Sequence, residues 1–126
     1  MSDTLLQQLC SCEDNEVIFN YATFKAIAGP ATYPLILKHI YTLLQKALLI
    51  YPKLIVRAYL KSITIGDMDI HKHFILDAIK QMSIDFSDAL DICYLYKTPF
   101  VFSQIYSIVS IVIDKKTKQK IQIVKN

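Results

Sequence analysis

The densest charge in the chain is a run of lysines near its end. Lys115, Lys116, Lys118 and Lys120 fall within six residues. Ammonium groups so close form either a solvated turn or a contact for anionic lipid headgroups, at about 1 kcal/mol per lysine beside a charged membrane. A second polar group, Asp67, Asp69, His71 and His73, has the residue types of a metal site. Residues two apart on a helix point to different sides, however, so the four do not converge and no metal is expected. Cys10 and Cys12 form a C-x-C pair with no further ligands nearby, and Cys93 lies in an apolar run where a thiol acts as a small hydrophobe. Arg57 is the only arginine, and base-edge readout relies on bidentate arginine, so nucleic acid is not an expected partner. No P-loop, G-x-G-x-x-G or G-x-S-x-G pattern occurs, and two glycines leave little for a phosphate-cradling loop. With no nucleophile, base and orienting group in a recognisable set, the chain reads as a non-enzyme without a metal or cofactor.

The elements that must position these groups follow from hydrophobic period. Residues 16–25, EVIFNYATFK, mix β-branched and aromatic types and run into Ala28-Gly29-Pro30, which predicts a strand or short hairpin ending in a turn. Thr32 as N-cap and Pro34 in the first turn open a helix whose apolar face is spaced from Leu35 to Leu48, with Pro52 beyond its end. Residues 54–60, LIVRAYL, and 91–96, DICYLY, are short and almost continuously apolar, the pattern of strands covered on both faces. Between them a loop leads into a helix over 67–82. Residues 100–113 are too long for a strand and form an apolar helix with a serine stripe. A charged turn at 115–119 then precedes a last strand at 121–124. The alternation predicts an α/β fold, a mainly parallel sheet with helices packed on it. Residues 1–15, with Leu5, Leu6 and Leu9 at helical spacing, read as an N-terminal extension, helical or mobile, before one domain at 16–126.

Composition sets the class. At 126 residues, 53% hydrophobic and 20% charged, the chain buries one core and is not disordered. The most apolar window, 35–50, carries Lys38, His39 and Lys46 and falls short of the roughly 20 residues of a membrane span. The acidic start MSDTLLQQLCSCEDNE has neither signal-peptide nor transit-peptide character, so a cytoplasmic protein is expected, with peripheral membrane association as an option.

The last third carries a resemblance. LDICYLYKTPFVFSQIYSIVSIVIDKKTKQKIQIV resembles the CRAL-TRIO lipid-binding domain of the phosphatidylinositol-transfer type, a strand, an A-P-F-x-F-S-like turn, an apolar helix, D-x-x-T-x-x-K and a strand. Thr98, Pro99, Phe100, Phe102 and Ser103 match the turn, and Asp114, Thr117, Lys120 and Ile121 match the later element. Upstream, residues 56–64, VRAYLKSIT, resemble the family's V-x-x-D-L-K-G-I-S. The chain departs from the family at Tyr59-Leu60-Lys61-Ser62 and at Phe86-Ser87-Asp88, which stands where a Tyr-Pro-Glu is usual.

What the resemblance implies is a CRAL-TRIO-like core binding a phospholipid or phosphoinositide, without enzymatic activity. Lys120 falls at the family's headgroup lysine and, by ungapped spacing, Asp77 at its headgroup carboxylate. The resemblance further implies an N-terminal helical domain and a gating helix after the last strand, neither within these 126 residues, so the chain reads as a reduced form. Phe100, Phe102, Ile105, Tyr106 and Val109 are then ordinary core, an acyl-chain pocket, or a partner face. An apolar helix over 100–113 needs cover, from another chain, from lipid or from the segment before Glu16. The alternative function is a structural or interaction subunit on a degenerate CRAL-TRIO scaffold that exchanges no lipid.

Overall fold

The structure, a computed structural model, describes residues 2–125. It begins with helix α1 (Asp3–Leu9), capped by the Ser2 hydroxyl, and strand β1 (Cys10–Glu13). The turn at Asp14 and Asn15 folds β1 back on β2 (Glu16–Asn20), and Asp14 takes the left-handed conformation at φ 54°, which Asp tolerates better than most residues. The segment before Glu16 is thus part helix and part strand, and Leu6, Leu9 and Cys10 are buried in the same core as the rest of the chain.

Helix α2 (Tyr21–Ile27) follows directly, where the strand or short hairpin was expected to run on to Lys25. Asn20 is its N-cap, the side-chain oxygen accepting from Ala22 N at 3.0 Å. Helix α3 (Tyr33–Leu48) starts at Thr32 with Pro34 in its first turn, although the Thr32 hydroxyl turns back to donate to the Ile27 carbonyl instead of capping. Strand β3 (Leu54–Tyr59) leads to α4 (Ile65–Phe86), longer at both ends than the predicted 67–82. The extra start comes from a reciprocal cap, Asp67 N to Thr64 Oγ1 and Thr64 N to the Asp67 carboxylate. Strand β4 (Leu90–Tyr96) is followed by α5 (Phe102–Val109) and a 3-10 turn at Ser110–Val112. The expected 100–113 helix is therefore shorter and tightens at its end, where Ser107 and Ser110 hydroxyls bond back to the carbonyls of Ser103 and Ser107. One helical turn, α6 (Lys115–Lys118), and β5 (Ile121–Ile123) complete the fold.

The five strands lie in chain order, β1 antiparallel to β2 and the others parallel. Successive right-handed crossovers that all step the same way place every connecting helix on one side of the sheet. The register agrees. Val17, Val56, Cys93 and Ile121 form a row that packs against the helices, while the next row, Ile18, Arg57, Tyr94 and Gln122, faces away. This corrects the expectation of strands covered on both faces. An apolar residue on a bare face reads the same in sequence as one in a core, and here Ile55, Ile92 and three tyrosines give β3 and β4 their continuous apolar appearance. On that outer face Arg57 donates to Glu16 at 2.8 Å and lies 5.0 Å from the Tyr94 ring centroid, and Tyr59 stacks on Tyr96 at 4.7 Å.

Candidate functional site

Between the inner face of the sheet and helices α3, α4 and α5 lies a cavity of about 370 Å³. Val56, Ala58 and Leu95 form its floor, and Ile36, Met68 and Ile105 stand among its walls. Its volume is at the lower end of the roughly 300–1,000 Å³ of small-molecule sites. Helices α3 and α4 meet across it through tyrosines: Tyr33 stacks on Phe74 at 4.3 Å with its hydroxyl 2.5 Å from His71 Nδ1, and Tyr41 donates to Asp85 at 2.8 Å while its ring meets Phe86.

The lining is largely apolar; besides the buried Tyr21 hydroxyl near Asp67, it has a polar end where the starts of β4 and β5 meet the end of α4. There Ser83, Ser87 and Thr117 face the cavity. Lys120 donates to the Ser87 carbonyl at 2.9 Å, satisfying one of the unpaired carbonyls that end α4 and leaving two further ammonium hydrogens. The Thr117 hydroxyl is buried, with no hydrogen bond of ordinary geometry among the described residues and the Asp114 carboxylate close by. Just outside, Lys53 and Lys116 gather on Asp88: Lys116 bonds its carboxylate and Lys53 its carbonyl. The hydrogen bond from Lys116, then that lysine's charge with help from Lys120 and Lys53, holds the Asp88 carboxyl below its ordinary value. The thiols of Cys10 and Cys93, by contrast, are pushed up to about 12 by burial, which makes them neutral hydrophobes of the inner face.

The residues singled out from sequence scatter unequally. Lys120 stands at the polar end. Asp77 does not join it: it is exposed on α4, ten residues before Ser87, or about 15 Å of helix rise. Two carboxylates share a field with Lys120, Asp114 and Asp88, and ungapped spacing passed over Asp88 although it stands two residues before β4. Phe102 and Ile105 are buried against the cavity, Tyr106 and Val109 are half-buried in its wall, and Phe100 is 98% exposed in the turn before α5. The N-terminal segment does not cover α5, because β1 and β5 are opposite edges of the sheet and α1 packs on α2. Of the four metal-type residues, Asp67 and His71 point inward, to Lys25 at 3.3 Å and to Tyr33, while Asp69 and His73 face solvent.

No helix among the described residues is long and apolar enough to cross a membrane. No curated protein matches the sequence. Among solved structures the crystal structure of Sfh5 superposes with a TM-score of 0.80 at 16% identity, covering 98% of this chain and 49% of that one, so the chain spans about half the length of that neighbour. The likeness is one of fold, including the mostly parallel sheet with its helix layer. The family model described as the CRAL/TRIO domain matches residues 60–126, the stretch that holds α4, the Asp88 turn, the α5 wall and Lys120. Since that match takes in more than half of the sequence and falls on the elements that enclose the cavity, the chain belongs to the CRAL/TRIO domain family.

Proposed function

We propose that the chain is a non-enzymatic lipid-binding module, an acyl chain lying in the cavity between sheet and helices and an anionic phosphate headgroup lying at its polar end. The observation that carries this is an almost wholly apolar cavity with the hydroxyls of Ser83, Ser87 and Thr117 gathered at the end where Lys120 bonds the Ser87 carbonyl. A phosphate oxygen accepts from such hydroxyls and from the ammonium, and an acyl chain needs only the apolar walls. Phosphatidylinositol fits this arrangement, its ring hydroxyls reaching a carboxylate. Asp88 serves that purpose better than Asp77 because Asp88 already stands among the lysines. Native mass spectrometry of the purified chain, with lipid extraction, tests the proposal, and a co-purified phospholipid is the expected result. In a headgroup-binding assay Lys120→Ala is expected to weaken binding roughly ten- to a hundredfold, the equivalent of losing one charge-assisted hydrogen bond. Lys116→Ala, whose ammonium is engaged by Asp88, should do less. Equal losses for the two would reduce the site to a diffuse basic patch.

The bare outer face of the sheet favours a second reading, an interaction subunit that retains the scaffold without exchanging lipid. A lipid-free chain recovered in a stable hetero-complex would select it.

A further inference from the structure

The room beneath the helices comes from small side chains. Ala58 in the floor and Ala78 on α4 both line the cavity, among walls built mainly of leucine, isoleucine and phenylalanine. The space left is about 370 Å³. A methylene occupies nearly the volume of a water molecule, about 30 Å³, so about twelve of them fit. That is enough for one fatty chain and well short of two.

Nor does the fold let the cavity widen. Its floor is a ladder of hydrogen-bonded strands whose spacing the backbone sets, whatever lies above. Opposite the floor, α3 and α4 are clasped at two points, about 12 Å apart along α3. At the first, Tyr33 stacks on Phe74 and meets His71 through its hydroxyl; at the second, Tyr41 donates to Asp85 while its ring packs against Phe86. A second acyl chain inside would have to part these contacts. The third wall, α5, is held by Phe102 and Ile105, both buried.

The two ends of the cavity also differ in sign. Lys120 stands where β5 begins, whereas Tyr21 and Asp67 lie at the other end of the sheet, past the last residue of β2. The Asp67 carboxylate already has Lys25 and the Thr64 N–H. An anionic head is repelled there and attracted at Lys120, so only one end takes a headgroup. We infer that the ligand of this cavity is a phospholipid with a single acyl chain, a lysophospholipid, its head at Lys120 and its chain end toward Tyr21. The inference deepens the lipid-binding reading and rests on it, but what it adds, one chain and not two, stands on the volume and on the clasps.

Native mass spectrometry of the full chain, offered equal amounts of oleoyl lysophosphatidylinositol and dioleoyl phosphatidylinositol, tests it. One lysolipid per chain is expected, preferred about tenfold over the diacyl form, the equivalent of keeping one tyrosine clasp closed. Across lysophosphatidylinositols of increasing chain length, affinity should rise about fourfold per methylene and level off at about twelve. Ala58→Leu, which enlarges a floor side chain, should move that plateau to shorter chains. A melting curve shows whether this variant folds, and the length series in the wild-type chain stands without it. Several results overturn the single-chain inference and leave lipid binding in place. They are a diacyl lipid bound as well as the lysolipid, two lysolipids on one chain, an affinity that ignores chain length or climbs without a plateau, and an unmoved plateau in folded Ala58→Leu. If neither lipid is retained, the lipid-binding reading itself is refuted, and this inference with it.

Discussion

The two faces of the sheet are built from alternate residues of the same strands, yet they differ in almost every physical respect. Ala58 faces helices and a cavity, and its neighbour Tyr59 faces outward to stack on Tyr96. The inner face is aliphatic and sulfur-containing, with cysteines kept neutral by burial. The outer face carries tyrosines and the single arginine, tied to Glu16, Tyr94 and Tyr96. The difference teaches that in this fold the hand of the crossovers, more than the hydrophobicity of the strands, decides which face acquires a layer.

The sharpest way to break the comparison is to place a charge on each face of β3. Ala58→Asp puts an unpaired carboxylate into the apolar cavity floor and is expected to cost more than about 4 kcal/mol, enough to prevent folding of a marginal domain. Tyr59→Lys, one residue on, should cost about 1 kcal/mol, chiefly the lost stacking on Tyr96. Chemical denaturation of both variants measures the difference, and similar losses would mean that the outer face is as buried as the inner one.

A smaller effect concerns acid. Asp67, on the covered side, is the buried carboxylate of the core. Burial alone would raise its pKa, but hydrogen bonds, including that from Thr64, and the Lys25 charge more than offset this and hold it below its ordinary 3.8. A lowered folded-state pKa means that the ionised form is the one folding favours. Its contribution is full above the unfolded value and is lost as pH falls through the folded one. Asp67→Asn should therefore cost about 1–2 kcal/mol at neutral pH and show a flatter decline of stability below pH 3.8 than the wild type. A parallel decline in the two proteins would assign acid sensitivity elsewhere. The smallest effect belongs to the outer face: Arg57→Ala removes a half-exposed ion pair and a cation–π contact and is expected to lower the melting temperature least of these variants.

What was legible in the sequence follows the same division. Strands β3, β4 and β5 and helices α3 and α4 announced themselves through period and breakers, because their apolar residues answer to a single helix layer. The covering of β3 and β4 was misread, since Ile55, Ile92 and Tyr94 on a bare face look like core. Helix α2 was hidden by its aromatic content, although Asn20 directly before it is a usable N-cap signal. The extended start of α4 was available in Thr64 and Asp67, three residues apart. At the polar end Lys120 was legible through its motif, whereas Asp88 was not: its partnership with Lys116 and Lys53 joins three turns that only the assembled sheet brings side by side.

Chain-ordered strands also say something about how this molecule comes into being. The β1–β2 hairpin closes through a local turn at Asp14 and Asn15, and each later strand then adds to the edge its predecessor has just presented. No strand has to be threaded between two others already in place. Assembly can proceed from the N-terminus as the polypeptide leaves the ribosome, each crossover helix closing over the newest strand before the next is made. The vulnerable moment is the late one, when β4 is an open edge waiting for the three residues of β5. That interval, more than any stage of the finished fold, is when the nascent chain is most exposed to pairing with a neighbour.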